Sequence, residues 1–167
     1  MPVKILVLSD SHSSLTFMRI AMERIRPDAV VHLGDYYEDG RCLMEDYPHI
    51  RFFQVVGNCD RYSMPPFADE ILSIPIGGVQ VYMTHGHKHR VKSGTEQLLA
   101  AARLSRAELV LYGHTHEAEC YQEDDGLWVM NPGSCRGFGG SVGLVTVENE
   151  KITDCRILEQ SDLEEYQ

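Results

Sequence analysis

Five short apolar runs in this chain each stop at a residue able to hold a metal ion, and that repetition constrains the fold more than any other feature. Val3–Leu8 empties into Ser9-Asp10-Ser11-His12, and residues 29–33 into Gly34-Asp35. Residues 52–56 lead into Gly57-Asn58, 79–83 into Thr84-His85-Gly86, and 109–112 into Gly113-His114-Thr115-His116. Continuous aliphatic runs read as strands buried on both faces, and sheets of such strands carry their chemistry at the strands' carboxyl ends.

The material between the runs fits that reading. Leu15, Met18, Ile20, Met22 and Ile25 carry a helical pattern that Pro27 ends. Ile71, Ile74 and Ile76 lead through Gly77-Gly78 into the fourth run, the signal of a hairpin. A further helix is expected after Ser93, which stands in capping-box spacing to Glu96, with Leu98, Leu99, Ala102 and Leu104 as its apolar stripe. From 117 to 158 the pattern reads as antiparallel sheet: residues 128–130 stop at Asn131-Pro132-Gly133-Ser134, and 142–147 pair with 152–158. The acidic stretch 162–167 reads as a frayed end. No linker or repeat divides the chain, so residues 1–167 are expected to form one domain.

Composition narrows the function. Fifteen basic residues against 25 acidic ones give a net charge of −10, which leaves no broad positive face for long DNA or RNA. The first apolar run is too short for a signal peptide core, and nothing approaches the roughly 18 apolar residues of a membrane span. A cytoplasmic protein without a membrane role is expected, and homo-oligomers stay open. Five cysteines, odd in number and never in C-x-x-C spacing, argue for reduced thiols. Cys42, Cys120 and Cys155 are expected to pack as small hydrophobes.

Asp10-x-His12 and His114-x-His116 share a spacing that, in extended chain, projects both side chains to one side. With Asp35, Asn58 and His85 the inventory is two carboxylates, one amide oxygen and four imidazoles, a donor set suited to Mn, Fe, Co, Ni or Zn. Taken singly, each residue is as well explained as a cap or turn former. Delivery of all seven to one edge of one core is what points to metal. His87 and His89, with Lys88, Arg90 and Lys92, form a local basic patch that either holds phosphate or solvates a helix start. Arg136 either clamps phosphate or faces water. His32 and His49 read as structural.

Asp10-x-His12, Gly34-Asp35, Gly57-Asn58, His85-Gly86 and Gly113-His114-x-His116, in that order, resemble the five motifs of the calcineurin-like metallophosphoesterases. The compact length and Asn131-Pro132-Gly133-Ser134 are similar to the YfcE-type phosphodiesterases. The resemblance implies an α+β fold, a four-layer α/β/β/α sandwich of two packed mixed sheets flanked by helices. It implies one divalent metal, Mn foremost, on Asp10, His12, Asp35 and His116, and a second on Asp35, Asn58, His85 and His114. Catalysis would then rest on Asp35, Asn58 and His114, with a metal-bridging hydroxide attacking phosphorus in line. Two dications with Asp10 and Asp35 leave +2, which that hydroxide and a phosphodiester monoanion cancel. The implied activity is hydrolysis of small or nucleotide-like phosphodiesters. The rivals are a phosphomonoesterase or protein phosphatase, and a protein-binding scaffold like the retromer subunit of this fold. One departure stands out: where many members carry histidine after the asparagine, this chain has Cys59, a poor general acid.

Overall fold

The computed structural model describes residues 1–60, 67–136 and 139–166. The first three apolar runs become β1 (Val3–Leu8), β2 (Ala29–His32) and β3 (Arg51–Gln54), parallel neighbours with Val7 opposite Val31 and Val31 opposite Phe53. On the other side of β1 lies β9 (Ser141–Glu148), antiparallel to it, and β10 (Lys151–Glu159) forms the edge. These two strands make a tight hairpin whose tip, Asn149 and Glu150, has left-handed backbone (φ 53° and 62°), as a twisted two-residue turn demands.

The second sheet runs in the order β4 (Ile71–Ile76), β5 (Val79–Thr84), β6 (Leu109–Leu111), β8 (Trp128–Asn131), β7 (Glu119–Gln122). The expected hairpin is present and turns at Gly77-Gly78, both with positive φ. The later half is only partly antiparallel: β7 opposes β8, but β8 runs parallel to β6, and β9 and β10 belong to the other sheet.

The sheets close on one another over Ile5, Val7, Val31, Val81, Met83, Leu109, Leu111 and Met130, all buried. Because alternate residues of a strand point to opposite faces, Leu6, Leu8 and Val30 face outward. There α1 (Leu15–Ile25), α2 (Tyr37–Asp46) and α4 (Gln160–Glu165) cover them with Phe17, Met18, Met22, Leu43 and Leu163. On the opposite face α3 (Glu96–Leu104) seats Leu98, Leu99 and Ala102 on Tyr82, Val110 and Val129. The result is the expected four-layer α/β/β/α sandwich of two mixed sheets. Burying a side chain such as Leu98 or Met22 contributes about 1.5–3 kcal/mol.

Local expectations fail where short-range signals compete with packing. Ser93 lies in a 3-10 turn, Val91–Ser93, and α3 starts after Thr95 instead, without a side-chain cap. Leu104 is 87% exposed, at the end of a helix whose buried face is already complete. The acidic tail is not frayed over its described part. Glu159 and Asp162 form a capping box, and Leu163 is fully buried; Gln167 lies outside the described residues.

Candidate metal centre

The ligand-type residues sit just past strand ends, and five of the seven have backbone forced into a rare conformation. Asp10, His12, Asp35, His114 and His116 all have φ between 46° and 71°, the left-handed region that costs an L-residue about 1–2 kcal/mol. The spacing argument from extended chain is thereby corrected: turns, not pleats, aim these side chains. His114 and His116 in fact diverge, His114 Nδ1 lying 3.2 Å from His85 Nε2 and His116 Nε2 lying 3.2 Å from Asp10 Oδ1.

Buried hydrogen bonds hold the strained loops. Asp60, only 1% exposed, accepts four backbone N–H bonds of 2.6–2.9 Å, from Asp35, Tyr36, Tyr37 and Gly57. Asp39 accepts the Ser11 hydroxyl at 2.7 Å and the Ser13 N–H at 2.6 Å. Ser11 Oγ also lies 3.0 Å from His32 Nε2; since the Gly34 N–H donates to His32 Nδ1, the Nε2 carries the proton. Ser134 donates its hydroxyl to the Asp10 carbonyl at 2.7 Å, and the Cys135 N–H donates to the Ser9 carbonyl. Close approach requires glycine at two points. A Cβ on Gly57 would fall 2.3 Å from Asp35 Oδ1, and one on Gly113 would fall 2.0 Å from Ser9 Oγ. That is the physical content of G-N and G-H in the motifs.

The loops bring Asp10, His12, Asp35 and His116 together with one donor atom from each within 4.8 Å of the others, the same four residues expected to share a metal. Among the described residues Asp10 Oδ1 and His12 Nε2 are buried without a hydrogen-bond partner, an arrangement that a bound cation would satisfy. The donors are oxygen and imidazole nitrogen, which a divalent transition metal satisfies. Beside them His85 gives its Nδ1 proton to the Leu33 carbonyl at 2.8 Å. Its Nε2 faces Asp35 Oδ2 at 3.5 Å and Asp10 Oδ1 at 3.8 Å. Asn58 is less settled in the cluster: it is exposed, with its amide nitrogen 3.8 Å from Cys59 Sγ.

Electrostatics follow from this crowding. Burial pushes the Asp10 carboxyl above its ordinary range, with the His85 and His116 rings pulling against it. Burial also acts on Asp35, but His85 and the Cys59 N–H (2.9 Å to Oδ1) hold it below the usual range. Burial and His85 lower His114 to about 4, so its ring is neutral and free to donate a lone pair. Desolvation and the Asp35 carboxylate push the Cys59 thiol up to about 11, which keeps it protonated near neutrality.

The remaining candidates are scattered. His87 is half-buried, 5.5 Å ring to ring from His85 and 6.1 Å from His114, and its Nδ1 has no partner among the described residues. His89 turns away to the Tyr82 hydroxyl, and Lys88 pairs with Glu70, so the basic patch does not act as a unit. Arg136 is exposed, one residue beyond the loop that docks on Ser9. His32 is fully buried and structural as read, while His49 is exposed. Sequence reasoning overlooked Asp39 and Asp60, whose only signal was an acid within four residues of a glycine-flanked ligand. It also overlooked Tyr36, 42% exposed, whose ring lies 4.9 Å from that of His12.

A two-sheet sandwich with histidine and carboxylate loops gathered at the strand ends defines a class, and the chain belongs to it. Residues 3–150 match the calcineurin-like phosphoesterase superfamily domain, and the protein is a member of that family. Among its relatives, a probable metallophosphoesterase of Mycoplasma pneumoniae is 31% identical over 78% of this chain and 78% of its own length. A phosphodiesterase of Methanocaldococcus jannaschii is 28% identical over 91% of this chain and 98% of its own. A predicted phosphoesterase from Streptococcus pneumoniae superposes with a TM-score of 0.73 at 25% identity, covering 96% and 91% of the two chains. Vps29 of Chaetomium thermophilum shares the fold, with a TM-score of 0.70 at 16% identity over 93% and 96%.

Proposed function

We propose that this chain is a binuclear metal-dependent phosphodiesterase that hydrolyses small or nucleotide-like phosphodiesters. The observation that carries the reading is the position of Asp35. One of its oxygens belongs to the four-donor cluster with Asp10, His12 and His116, and Oδ2 also faces His85 Nε2 at 3.5 Å, beside His114. A first divalent metal would be held by Asp10, His12, Asp35 and His116, and a second by Asp35, Asn58, His85 and His114. Manganese suits the mixed oxygen and nitrogen donors, as do Fe, Co, Ni and Zn. When bound, such metals supply Lewis acidity that activates water and neutralises the phosphoryl oxygens.

The chain's own residues do the rest. The Leu33 carbonyl fixes the His85 ring, and the Asp60 bonds fix the Asp35 backbone, so the donors are placed before substrate arrives. His87 Nδ1, without a partner among the described residues and beside His85 and His114, would meet a phosphoryl oxygen. Tyr36 offers an exposed ring beside His12 on which an aryl or nucleobase group would stack. Cys59, protonated but a weak acid, gives little help to a departing oxygen, so esters with good leaving groups are favoured. Arg136 is free to reach a phosphate from the rim. A single domain over 1–167 fits this reading. A cytoplasmic setting fits it too, since five cysteines, odd in number and without C-x-x-C spacing, suit a reducing compartment.

A second reading, a protein-binding scaffold, is favoured by the Vps29 likeness and by the outward Asn58. The test is turnover of a bis(aryl phosphate) against an aryl monophosphate across a manganese titration. Metal-dependent cleavage of the diester, several-fold faster than of the monoester, is expected. A faster monoester would make the protein a phosphomonoesterase, and metal-independent silence on both would leave the scaffold.

A further inference from the structure

The two sheets end in facing edge strands, β7 and β10, and each carries one cysteine at the margin of the inter-sheet core. Cys120 Sγ lies 2.8 Å from Cys155 Sγ and 3.3 Å from the Cys155 carbonyl oxygen, although the two residues are 35 positions apart. A disulfide needs about 2.05 Å between sulfurs, so an approach of under about 1 Å suffices, within the reach of small χ1 rotations. Both thiols are half-buried rather than sealed. Among the described residues the other three lie elsewhere: Cys42 on α2, Cys59 in the turn beside Asp35, and Cys135 buried by the loop that docks on Ser9.

We propose that Cys120 and Cys155 are a redox modification site, closing to a disulfide that staples the two sheets at their shared edge. Cys120 donates its thiol proton toward both the Cys155 sulfur and the Cys155 carbonyl oxygen, so the two sulfurs already meet through one hydrogen bond. Loss of that proton makes Cys120 an attacking thiolate with its partner sulfur in reach. With a small disulfide such as oxidised glutathione as oxidant, the Cys120 thiolate takes one sulfur and releases one glutathione thiolate, which accepts the Cys155 proton. Cys155 sulfur then attacks Cys120 sulfur and expels the second glutathione. Two protein thiols are oxidised and one glutathione disulfide is reduced to two thiols. Because the bond constrains a 35-residue separation, it lowers the entropy of the unfolded chain and raises the melting temperature.

The experiment incubates the full chain with oxidised glutathione, counts free thiols, maps peptides by mass spectrometry and records melting curves. The expected result is a fall from five free thiols to three, one Cys120–Cys155 cross-linked peptide, reversal by dithiothreitol, and a melting temperature higher by about 5–10 °C. Cys155→Ser and Cys155→Ala should instead accumulate a glutathione adduct on Cys120. Retention of all five thiols, separate adducts on Cys120 and Cys155 in the unmutated chain, or pairing of either with Cys42, Cys59 or Cys135 would overturn the site. A mapped bond with an unchanged melting temperature would overturn the staple.

Discussion

The two halves of the candidate centre are built to different standards. Asp10, His12, Asp35 and His116 converge within 4.8 Å, and buried bonds from Asp39, Asp60 and Ser134 hold their loops. The other half shares Asp35 and has a well-oriented His85, but Asn58 stands on an exposed turn, its amide nitrogen meeting only the Cys59 sulfur among the described residues. Preorganised donors bind without first being ordered, whereas loose donors must be gathered at a cost. On the proposed binuclear reading, one tight site and one weaker site would follow, with Asp35 common to both.

The sharpest way to break that comparison is to remove what the halves share. Asp35→Asn should lower kcat by about 10³-fold or more, while far-ultraviolet circular dichroism and the melting temperature stay close to those of the parent chain. Full activity in this variant would sink the binuclear reading. Asp60→Ala acts on both halves through the backbone, leaving four N–H groups without their acceptor. A loss of about 3–4 kcal/mol in urea denaturation is expected, with metal affinity falling alongside stability.

Acid should act next, through the tighter half. Burial lowers His32 from 6.5 to about 4, so the folded chain keeps it neutral while the unfolded chain protonates it below 6.5. This contribution is full above pH 6.5 and is lost as pH falls toward 4, amounting to about 3 kcal/mol. His32→Gln should flatten that part of the stability profile, measured by denaturant titration at each pH. Asn58→Ala addresses the looser half alone: calorimetric titration with manganese should show the weaker equivalent about tenfold weaker still, and the tighter one unchanged. Equal losses at both would mean the halves are not separable. The smallest effect is expected at Tyr36→Ala, a rise of about threefold in KM for aryl or nucleotide diesters with kcat little altered.

How much of this was legible in the sequence depends on the range of the signal. Val3–Leu8 and the four runs like it are aliphatic enough to announce buried strands, and polar residues at their ends announce the site. The α2 segment was not foreseen, because Gly40 in its middle discourages a helix. In the fold the glycine lets the Gln54 amide pass close: a Cβ would lie 2.3 Å from Gln54 Nε2, so that side chain would have to shift. Asp39 and Asp60 escaped notice because a lone acid has no periodicity. Their role exists only once backbone N–H groups from distant segments are folded around them. The left-handed backbone at Asp10, His12, His114 and His116 was invisible for the same reason, since tertiary bonds impose it against local preference.

The tie between Ser134 and Asp10 spans 124 residues, and the His114 N–H reaches the Asp10 carboxylate across 104. Strand β1 likewise finds its antiparallel neighbour only in β9. A chain emerging from the ribosome at about 5–20 residues per second therefore has its first ligand in hand many seconds before the groups that orient it exist. Until residues 114 and 134 are made, Asp10 lacks the bonds that orient it in the fold. Metal loading would in this sense be a late event, following completed topology rather than templating it, and a nascent chain stalled before residue 134 is left without the native clamp on Asp10.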